Sequence, residues 1–311
     1  VGGVEEMGTM NIAKPFLKWA GGKGQLLEQI ERFLPKDLSQ GSLTRYMEPF
    51  VGSGAVFLSI AQKYPVADFF ISDINKELIL AYQTIQKDVG RLIDILSEIQ
   101  SKYLSLTEGD RQEYYYYIRS QFNSQSPTIN FQSYSSAWLE RTAQIIFLNK
   151  TCFNGLFRVN SKGEFNVPMG RYKKPLICHA DNLKLIGKIL QRTQIYQGDF
   201  TQCQAWVDSQ TFVYFDPPYR PISTTSNFTA YAKNSFDDSE QLRLRDFFIN
   251  LDQKGAKLML SNSDPKNEDP QDDFFELAYQ GYRIERVKAS RSINSNAQKR
   301  GKINEILILN Y

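Results

Sequence analysis

Short apolar runs alternate with amphipathic stretches over two parts of the chain, residues 16 to about 80 and about 176 to the end. Residues 43–47, 67–72, 194–197, 211–215 and 256–261 are the candidate strands. Each is followed by a turn and then by an amphipathic or Gly-punctuated segment, which is the pattern of βαβ units around a mostly parallel sheet. Residues 282–289 and 303–310 are also strand-like, but only a polar connection lies between them. No crossover helix fits there, so a hairpin closing the sheet is expected. The middle of the chain reads differently. Leu92, Ile95, Leu96 and Ile99 recur at helical spacing. Residues 113–119, with four tyrosines, extend the helical region, and 137–148 form another helix. Residues 123–136 are rich in Ser, Gln and Asn and predict a loop, while 149–172 are rich in Asn, Gly, Arg and Lys. Residues 89–172 therefore predict a module inserted into an α/β domain formed by 10–88 and 173–311. No internal repeat is visible.

Composition narrows the classes. A chain of 311 residues with 41 % hydrophobic and 23 % charged positions can bury a large core and is not a disordered polymer. The net charge is +3, from 37 Lys+Arg against 34 Asp+Glu, so a polyanionic partner has to be met by local patches. Cys152, Cys178 and Cys203 are too few and too scattered for a disulfide framework, and no Cys-x-x-Cys pair suggests zinc. They are expected to be buried thiols. With His179 the single histidine, chemistry built on several histidines is excluded and no metal site is expected. No apolar run approaches the roughly 18 residues of a membrane span. Residues 1–9 have neither a basic start nor an apolar stretch and predict an expression remnant ahead of Met10 rather than a signal peptide. A cytoplasmic globular protein is expected.

Three motifs carry candidate chemistry. Asp216-Pro217-Pro218-Tyr219 directly follows the apolar run 211–215. A carboxylate at the carboxyl end of a parallel strand lies where open α/β sheets place their sites. Two prolines fix the backbone and aim the Pro217 carbonyl, and Tyr219 offers a flat ring. Together these can hold a planar amine, although an ordinary Asp-Pro turn leaving a strand fits the bare tetrapeptide equally well. Glu48-Pro49-Phe50-Val51-Gly52-Ser53-Gly54 follows another candidate strand, and its glycines permit a tight turn close to a ligand. Phe57 stands where the dinucleotide fingerprint has its third glycine. About twenty residues on, Asp73 ends the next strand, where an acid grips ribose hydroxyls in nucleotide-binding units, or simply caps a helix. Phe16-Leu17-Lys18-Trp19-Ala20-Gly21-Gly22-Lys23 is not a phosphate loop, because Leu17 and Gly24 occupy the positions that need Gly and Ser or Thr.

In this order, the three motifs resemble the adenine-N6 DNA methyltransferases of the Dam/DpnM type, the D12 class. The resemblance runs from Pro15 to Asn310 and extends to Cys152-Phe-Asn-Gly-Leu-Phe-Arg-Val-Asn160, Gly163-Glu-Phe-Asn-Val-Pro168 and Phe228-Thr-Ala-Tyr231. It implies the S-adenosylmethionine-dependent methyltransferase fold, a mostly parallel sheet with a terminal antiparallel hairpin. It also implies that the insertion is a mainly helical DNA-recognition domain with a β-hairpin. The implied donor is S-adenosyl-L-methionine and the implied acceptor an adenine in double-stranded DNA. By motif match, Trp19 and Lys23 line the methionine end of the donor, Asp73 holds its ribose, and Asp199-Phe200 border its adenine. Phe50, Gly52 and Gly54 shape the floor, and Asp216 belongs to both donor and catalytic sets. Asp216 and the Pro217 carbonyl would accept the two N–H bonds of the target amine and stabilise the charge that develops on it. The base has to be flipped out of the duplex, and Tyr219 would stack on it.

For recognition, residues 158–174 hold Arg158, Lys162, Arg171, Lys173 and Lys174 against Glu164. Residues 281–302 hold Arg283, Arg286, Lys288, Arg291, Lys299, Arg300 and Lys302 against Glu285. Such patches supply phosphate contacts and affinity rather than sequence choice. The resemblance assigns sequence choice to the 152–160 segment. Arg158 matches an arginine that reads guanine, Leu156 a wedge, Phe153 and Asn154 residues near the flipped base, and Lys18 a lysine on the first guanine. Arg171, Tyr172 and Lys173 complete the DNA-facing set, and GATC is the implied target. No obligatory protein partner is expected. Thr151, Ile177 and Gln202 precede the three cysteines, where C5-cytosine chemistry usually has Pro before its nucleophile. The rivals are a DNA-binding module that has lost catalysis, a cytosine-N4 enzyme, which usually has Ser in place of Asp216, and a protein-amide methyltransferase, which typically has Asn there.

Overall fold

A computed structural model describes residues 12–125, 130–220, 236–290 and 302–311. Residues 1–9, the Phe228-Thr-Ala-Tyr231 motif, part of the 123–136 segment, and Arg291, Lys299 and Arg300 lie outside the described residues. Seven strands form one sheet: β1 (Arg45–Glu48), β2 (Asp68–Asp73), β3 (Thr193–Gln197), β4 (Thr211–Phe215), β5 (Lys257–Ser263), β6 (Arg283–Ser290) and β7 (Lys302–Leu309). Their order across the sheet is β3-β2-β1-β4-β5-β7-β6. The first five are parallel. β7 runs antiparallel to both neighbours and lies between β5 and β6. The parallel α/β sheet with its antiparallel end is thus as the alternation predicts.

Period-two alternation divides the strand residues between two cores. Tyr46, Phe69, Ile71, Phe212, Tyr214, Met259, Leu307 and Leu309 enter one core. Their neighbours Met47, Phe70, Val213, Phe215, Leu258, Leu260, Ile306 and Ile308 enter the other. Both faces of β4 are covered, so it is buried at every position and apolar at all but Thr211 rather than at alternate ones. The first core is covered by α1 (Leu27–Glu31), α2 (Lys36–Gln40), α3 (Ala55–Lys63), α4 (Lys76–Ser105), α5 (Glu108–Gln125), α6 (Ser136–Thr151) and α7 (Ala180–Leu190). The second is covered by α8 (Asp238–Asp252), α9 (Phe274–Ala278) and the 3-10 turn Phe200–Trp206.

The middle of the chain packs onto the first core without a separate core of its own. Leu92 and Leu96 of α4, Tyr115 and Phe122 of α5 and Leu139 of α6 all belong to that cluster. α4 runs across the expected boundary at 88/89, and its backbone leaves helical geometry at Asp88 (φ −153°, ψ 52°). α5 continues through residues 123–125, where the Ser/Gln/Asn composition predicts a loop. The cause is Asn123, whose side chain donates to the Phe165 carbonyl at 3.1 Å and accepts the Phe165 N–H at 2.8 Å. The expected β-hairpin is reduced to isolated bridges, Cys152 with Met169 and Val159 with Phe165. Its ladder is broken by the 3-10 turn Phe153–Gly155, where Asn154 and Gly155 both take positive φ.

Arg141 is the best-paired charge in this region. Its side chain is 1 % exposed, and two guanidinium nitrogens donate to the two oxygens of Glu77 at 2.9 and 2.7 Å. The Phe122 carbonyl and ring complete the enclosure. This pair ties the first turn of α4 to the middle of α6. His179 is exposed and caps α7 through Nδ1, which accepts the Asn182 N–H. All three cysteines are buried and unbridged.

Candidate active site

The carboxyl ends of the parallel strands share one edge of the sheet, and each delivers a polar group there. Glu48 ends β1, Asp73 ends β2, Asp199 follows β3, Asp216 follows β4, and Ser261 lies near the end of β5. In front of them is a cavity of about 880 Å³. Trp19, Lys23, Phe50, Gly52, Asp73, Asp199, Phe200, Asp216 and Tyr219 all line it. Those residues come from five stretches of chain, and the fold brings them together around this cavity. Gly54 and Pro217 do not reach the wall. Gly54 instead makes the turn into α3 at φ +71°, where an added Cβ would lie 2.5 Å from the Tyr82 hydroxyl. That hydroxyl donates to the Gly52 carbonyl at 3.1 Å, so Gly54 supports the wall from behind. Pro217 is buried at the start of the turn.

At one end of the cavity the Lys23 ammonium sits 2.8 Å from Asp216 Oδ1 and 4.3 Å from the centroid of the Tyr219 ring. It also donates to the Gly21 carbonyl at 3.0 Å. The Ser261 hydroxyl donates to Asp216 Oδ1 at 3.0 Å, and Tyr214 in turn donates to Ser261. Burial raises the Asp216 carboxyl above its ordinary range, and the Lys23 charge opposes that rise. Glu48 is pushed well up by burial, with its Oε2 accepting the Tyr46 phenol at 2.6 Å. The Tyr219 hydroxyl donates to Glu305 of β7. Burial, then the Asp216 and Glu305 charges, push the Tyr219 phenol well up, so it keeps its proton.

The middle and far end are different in kind. Asp73 accepts the Gly52 N–H on one oxygen at 3.1 Å and the Asn75 N–H on the other at 2.9 Å. Burial raises its carboxyl, and these N–H groups counter it. Each oxygen keeps a further lone pair for a ligand. Phe50, Phe200 and Phe236 form an aromatic wall with ring centroids 5.3 to 6.2 Å apart. Arg243 of α8 forks onto both Asp199 oxygens at 3.0 and 2.7 Å and holds that carboxyl well below its ordinary range. The same guanidinium lies 4.1 Å over the Phe200 ring. Sequence reasoning missed Arg243, Glu240, Phe236 and Ile74 on this wall, and Ser261 and Glu305 behind it. Ser261 had a signal: the polar string Ser261-Asn262-Ser263-Asp264 at the carboxyl end of an apolar strand, all four buried.

A second constellation adjoins the first. Asn149 of α6 accepts the Lys18 N–H and donates to the Lys18 and Gly155 carbonyls, each at 2.9 Å. The Lys18 stem lies on Gly155, where a Cβ would be 2.5 Å from its Cδ, and its ammonium is 5.3 Å over the Tyr172 ring. Burial and the neighbouring Lys18 charge lower the Lys150 ammonium. Phe153, Asn154, Arg158, Arg171 and Lys173 are exposed, while Leu156 and Tyr172 are half-buried. Arg158 Nε donates to Asn166 Oδ1 at 2.7 Å. Trp19 stacks on Phe157 with centroids 5.1 Å apart and planes at 22°, so the two constellations share a wall.

Residues 19–293 match the sequence profile of the D12 class N6 adenine-specific DNA methyltransferases. The chain is 50 % identical over 299 residues to type II methyltransferase M.MjaIII of Methanocaldococcus jannaschii, covering 96 % of this chain and 99 % of that protein. It is 37 % identical over 300 residues to type II methyltransferase M1.LlaDCHI of Lactococcus lactis subsp. cremoris, covering 96 % and 95 %. A DNA adenine methylase of Salmonella typhi is 35 % identical over 301 residues, with 96 % of each chain covered.

Proposed function

The chain belongs to the D12 class of N6 adenine-specific DNA methyltransferases, and from that premise we propose that it methylates a flipped-out adenine of duplex GATC with S-adenosyl-L-methionine as donor. The observation that carries the reading is the cluster at Asp216. A carboxylate there already holds an N–H donor, the Lys23 ammonium, at 2.8 Å beside the face of the Tyr219 ring. A planar exocyclic amine needs the same two neighbours, an acceptor in its plane and a ring over its face.

The cavity suits the donor. Its volume of about 880 Å³ falls in the range of roughly 300–1,000 Å³ typical of sites for ligands of that size. Asp73 would take the ribose hydroxyls on its remaining lone pairs, and Phe50 and Phe200 would cover the donor's base, with Asp199 and Arg243 at its edge. Trp19 and Lys23 would border the methionine end, and Gly52, with no side chain, leaves the floor open. When bound, S-adenosylmethionine supplies a methyl group already activated on a sulfonium. The chain's own task is therefore alignment and charge. Asp216 would accept an N–H bond of the target amine and favour the positive charge it gains, while Tyr219 would fix the plane of the base. Pro217, buried and outside the cavity wall, would act by fixing the turn between them. Residues 89–172 would form the target-recognition region, with Lys18, Phe153, Asn154, Leu156 and Arg158 near the bases and Arg171, Tyr172 and Lys173 on the backbone.

Base-resolution mapping of N6-methyladenine on unmethylated plasmid, incubated with protein and donor, tests the reading. Methylation confined to GATC is the expected result. Methylation confined to a different motif overturns the target, and none at all overturns the reaction. Within it, Arg158→Ala is expected to erode discrimination at one guanine by about 1–3 kcal/mol, the scale of a bidentate Arg–guanine contact. Rates on duplexes substituted at that guanine measure this. An equal fall on cognate and substituted duplexes would show that Arg158 contacts phosphate rather than base.

A further inference from the structure

We propose that Glu305 is a positioning residue for methyl transfer, fixing the Tyr219 ring from behind the site. The inference rests on the reading of Asp216 and Tyr219 given above and adds a residue from the antiparallel end of the sheet. Glu305 lies on β7, paired with Ser263 at the carboxyl end of β5. Its Oε2 accepts the Tyr219 phenol and stands 3.9 Å from the Lys23 ammonium. A tyrosine at the end of a Pro-Pro turn has its backbone fixed, but its ring can still turn about χ1 and χ2. A hydrogen bond at the far end of the ring removes that freedom, and a carboxylate acceptor makes the bond a strong one.

The second contact gives Glu305 a further part in the same step. In the free protein Lys23 occupies an acceptor of Asp216 that an incoming amine requires. Lys23 has to give up that contact when the base arrives, and stranding a buried cation would be costly. Glu305 offers the nearest second carboxylate named in this cluster, so a small swing of the ammonium leaves it paired while Asp216 turns to the amine. Asp216 thus remains the group that touches substrate, and Glu305 acts through Tyr219 and Lys23.

The test is a double-mutant cycle between Glu305→Ala and Tyr219→Phe, which delete the same hydrogen bond from opposite sides. Each is expected to lower kcat roughly 10- to 100-fold, the cost of misplacing a group by about an ångström. The double variant should be no slower than the worse single variant. Donor affinity, measured by calorimetry, should stay within twofold, and 2-aminopurine at the target position should report weaker capture of the flipped base. Glu305→Gln retains an acceptor oxygen and should recover part of the rate. Tyr219→Phe leaves β7 untouched, so the cycle can be read even where Glu305→Ala lowers the melting temperature. Wild-type kcat in Glu305→Ala, or losses that multiply in the double variant, would overturn the inference while leaving the reaction intact. A wild-type protein that methylates no adenine would instead overturn the reading on which the inference rests.

Discussion

Asp216→Ala is expected to lower kcat about 10³-fold, the scale on which enzymes lose rate when a group aimed at developing charge is removed. The amine of adenine is a poor nucleophile because its lone pair is delocalised into the ring, and on the proposed reading the Asp216 carboxylate would offset the positive charge it gains. Ser261 and Tyr214 hold that carboxylate from behind, so its removal leaves the cavity walls in place and donor binding measurable. Single-turnover methylation of a duplex with one target site is the measurement, and a rate within tenfold of wild type would remove Asp216 from the chemistry. The pH dependence follows from the same environment. Burial raises this carboxyl, and only its ionised form carries the negative charge that offsets the charge developing on the amine, so the acid limb of kcat should lie above the ordinary aspartate value of about 4. Stability runs the other way. A carboxyl whose folded pKa is raised contributes stability that is complete below its unfolded pKa and is lost as pH rises through the folded value. The pH range of activity is therefore the range in which Asp216 weakens the fold.

Arg141→Ala is expected to cost about 3–5 kcal/mol of stability, because it strands Glu77 as a buried, unpaired carboxylate. Total stabilities of domains are only about 5–15 kcal/mol, so a large fraction of the protein's margin is at stake. The two residues meet at 2.7 and 2.9 Å with Arg141 1 % exposed, and little solvent can take the place of the lost partner. Equilibrium urea unfolding gives the value. The companion variant Glu77→Leu with Arg141→Met should recover most of the loss, since an apolar pair of similar volume removes both charges. A double variant as unstable as the single would show that packing around the guanidinium, rather than the stranded charge, sets the cost.

Much of the frame is legible in the sequence because buried parallel strands are written as short apolar runs, as in β1, β2, β4 and β5, while the edge strand β3, TQIYQ, is mostly exposed and carries the pattern only weakly. The motif residues of the cavity are legible for a related reason: Asp73 is the last residue of β2 and Asp216 follows β4, so each is a carboxylate interrupting an apolar run at the carboxyl end of a parallel strand. What escaped reading depends on partners distant in the chain. Arg243 looks like one half of a surface pair with Glu240 three residues before it, and only the fold brings Asp199 against it. Glu305 sits between the polar start of β7, Lys302 to Asn304, and its apolar end, and nothing local indicates that Tyr219 meets it. The 152–160 segment departs from a regular hairpin because the pattern of alternating side chains does not show the positive φ of Asn154 and Gly155. The motif match implies that Gly54 shapes the ligand floor, whereas in the fold Gly54 makes room for Tyr82 behind the wall, a difference its one letter does not show.

The strand order also bears on how the molecule comes to exist. β1, in the middle of the sheet, pairs on one side with the next strand, β2, and on the other with β4, which follows only after α4 to α7 and β3. β7 must then enter between β5 and β6. Pairings between segments remote in sequence incur loop-closure entropy before any contact compensates for it, which makes such topologies slow to complete. Lys23, Asp216 and Glu305 belong to three remote segments, so their cluster forms only with the closure of the whole sheet. The helices can form early from local contacts. No local segment can therefore hold the aimed carboxylate by itself, and the cluster depends on completion of the whole sheet.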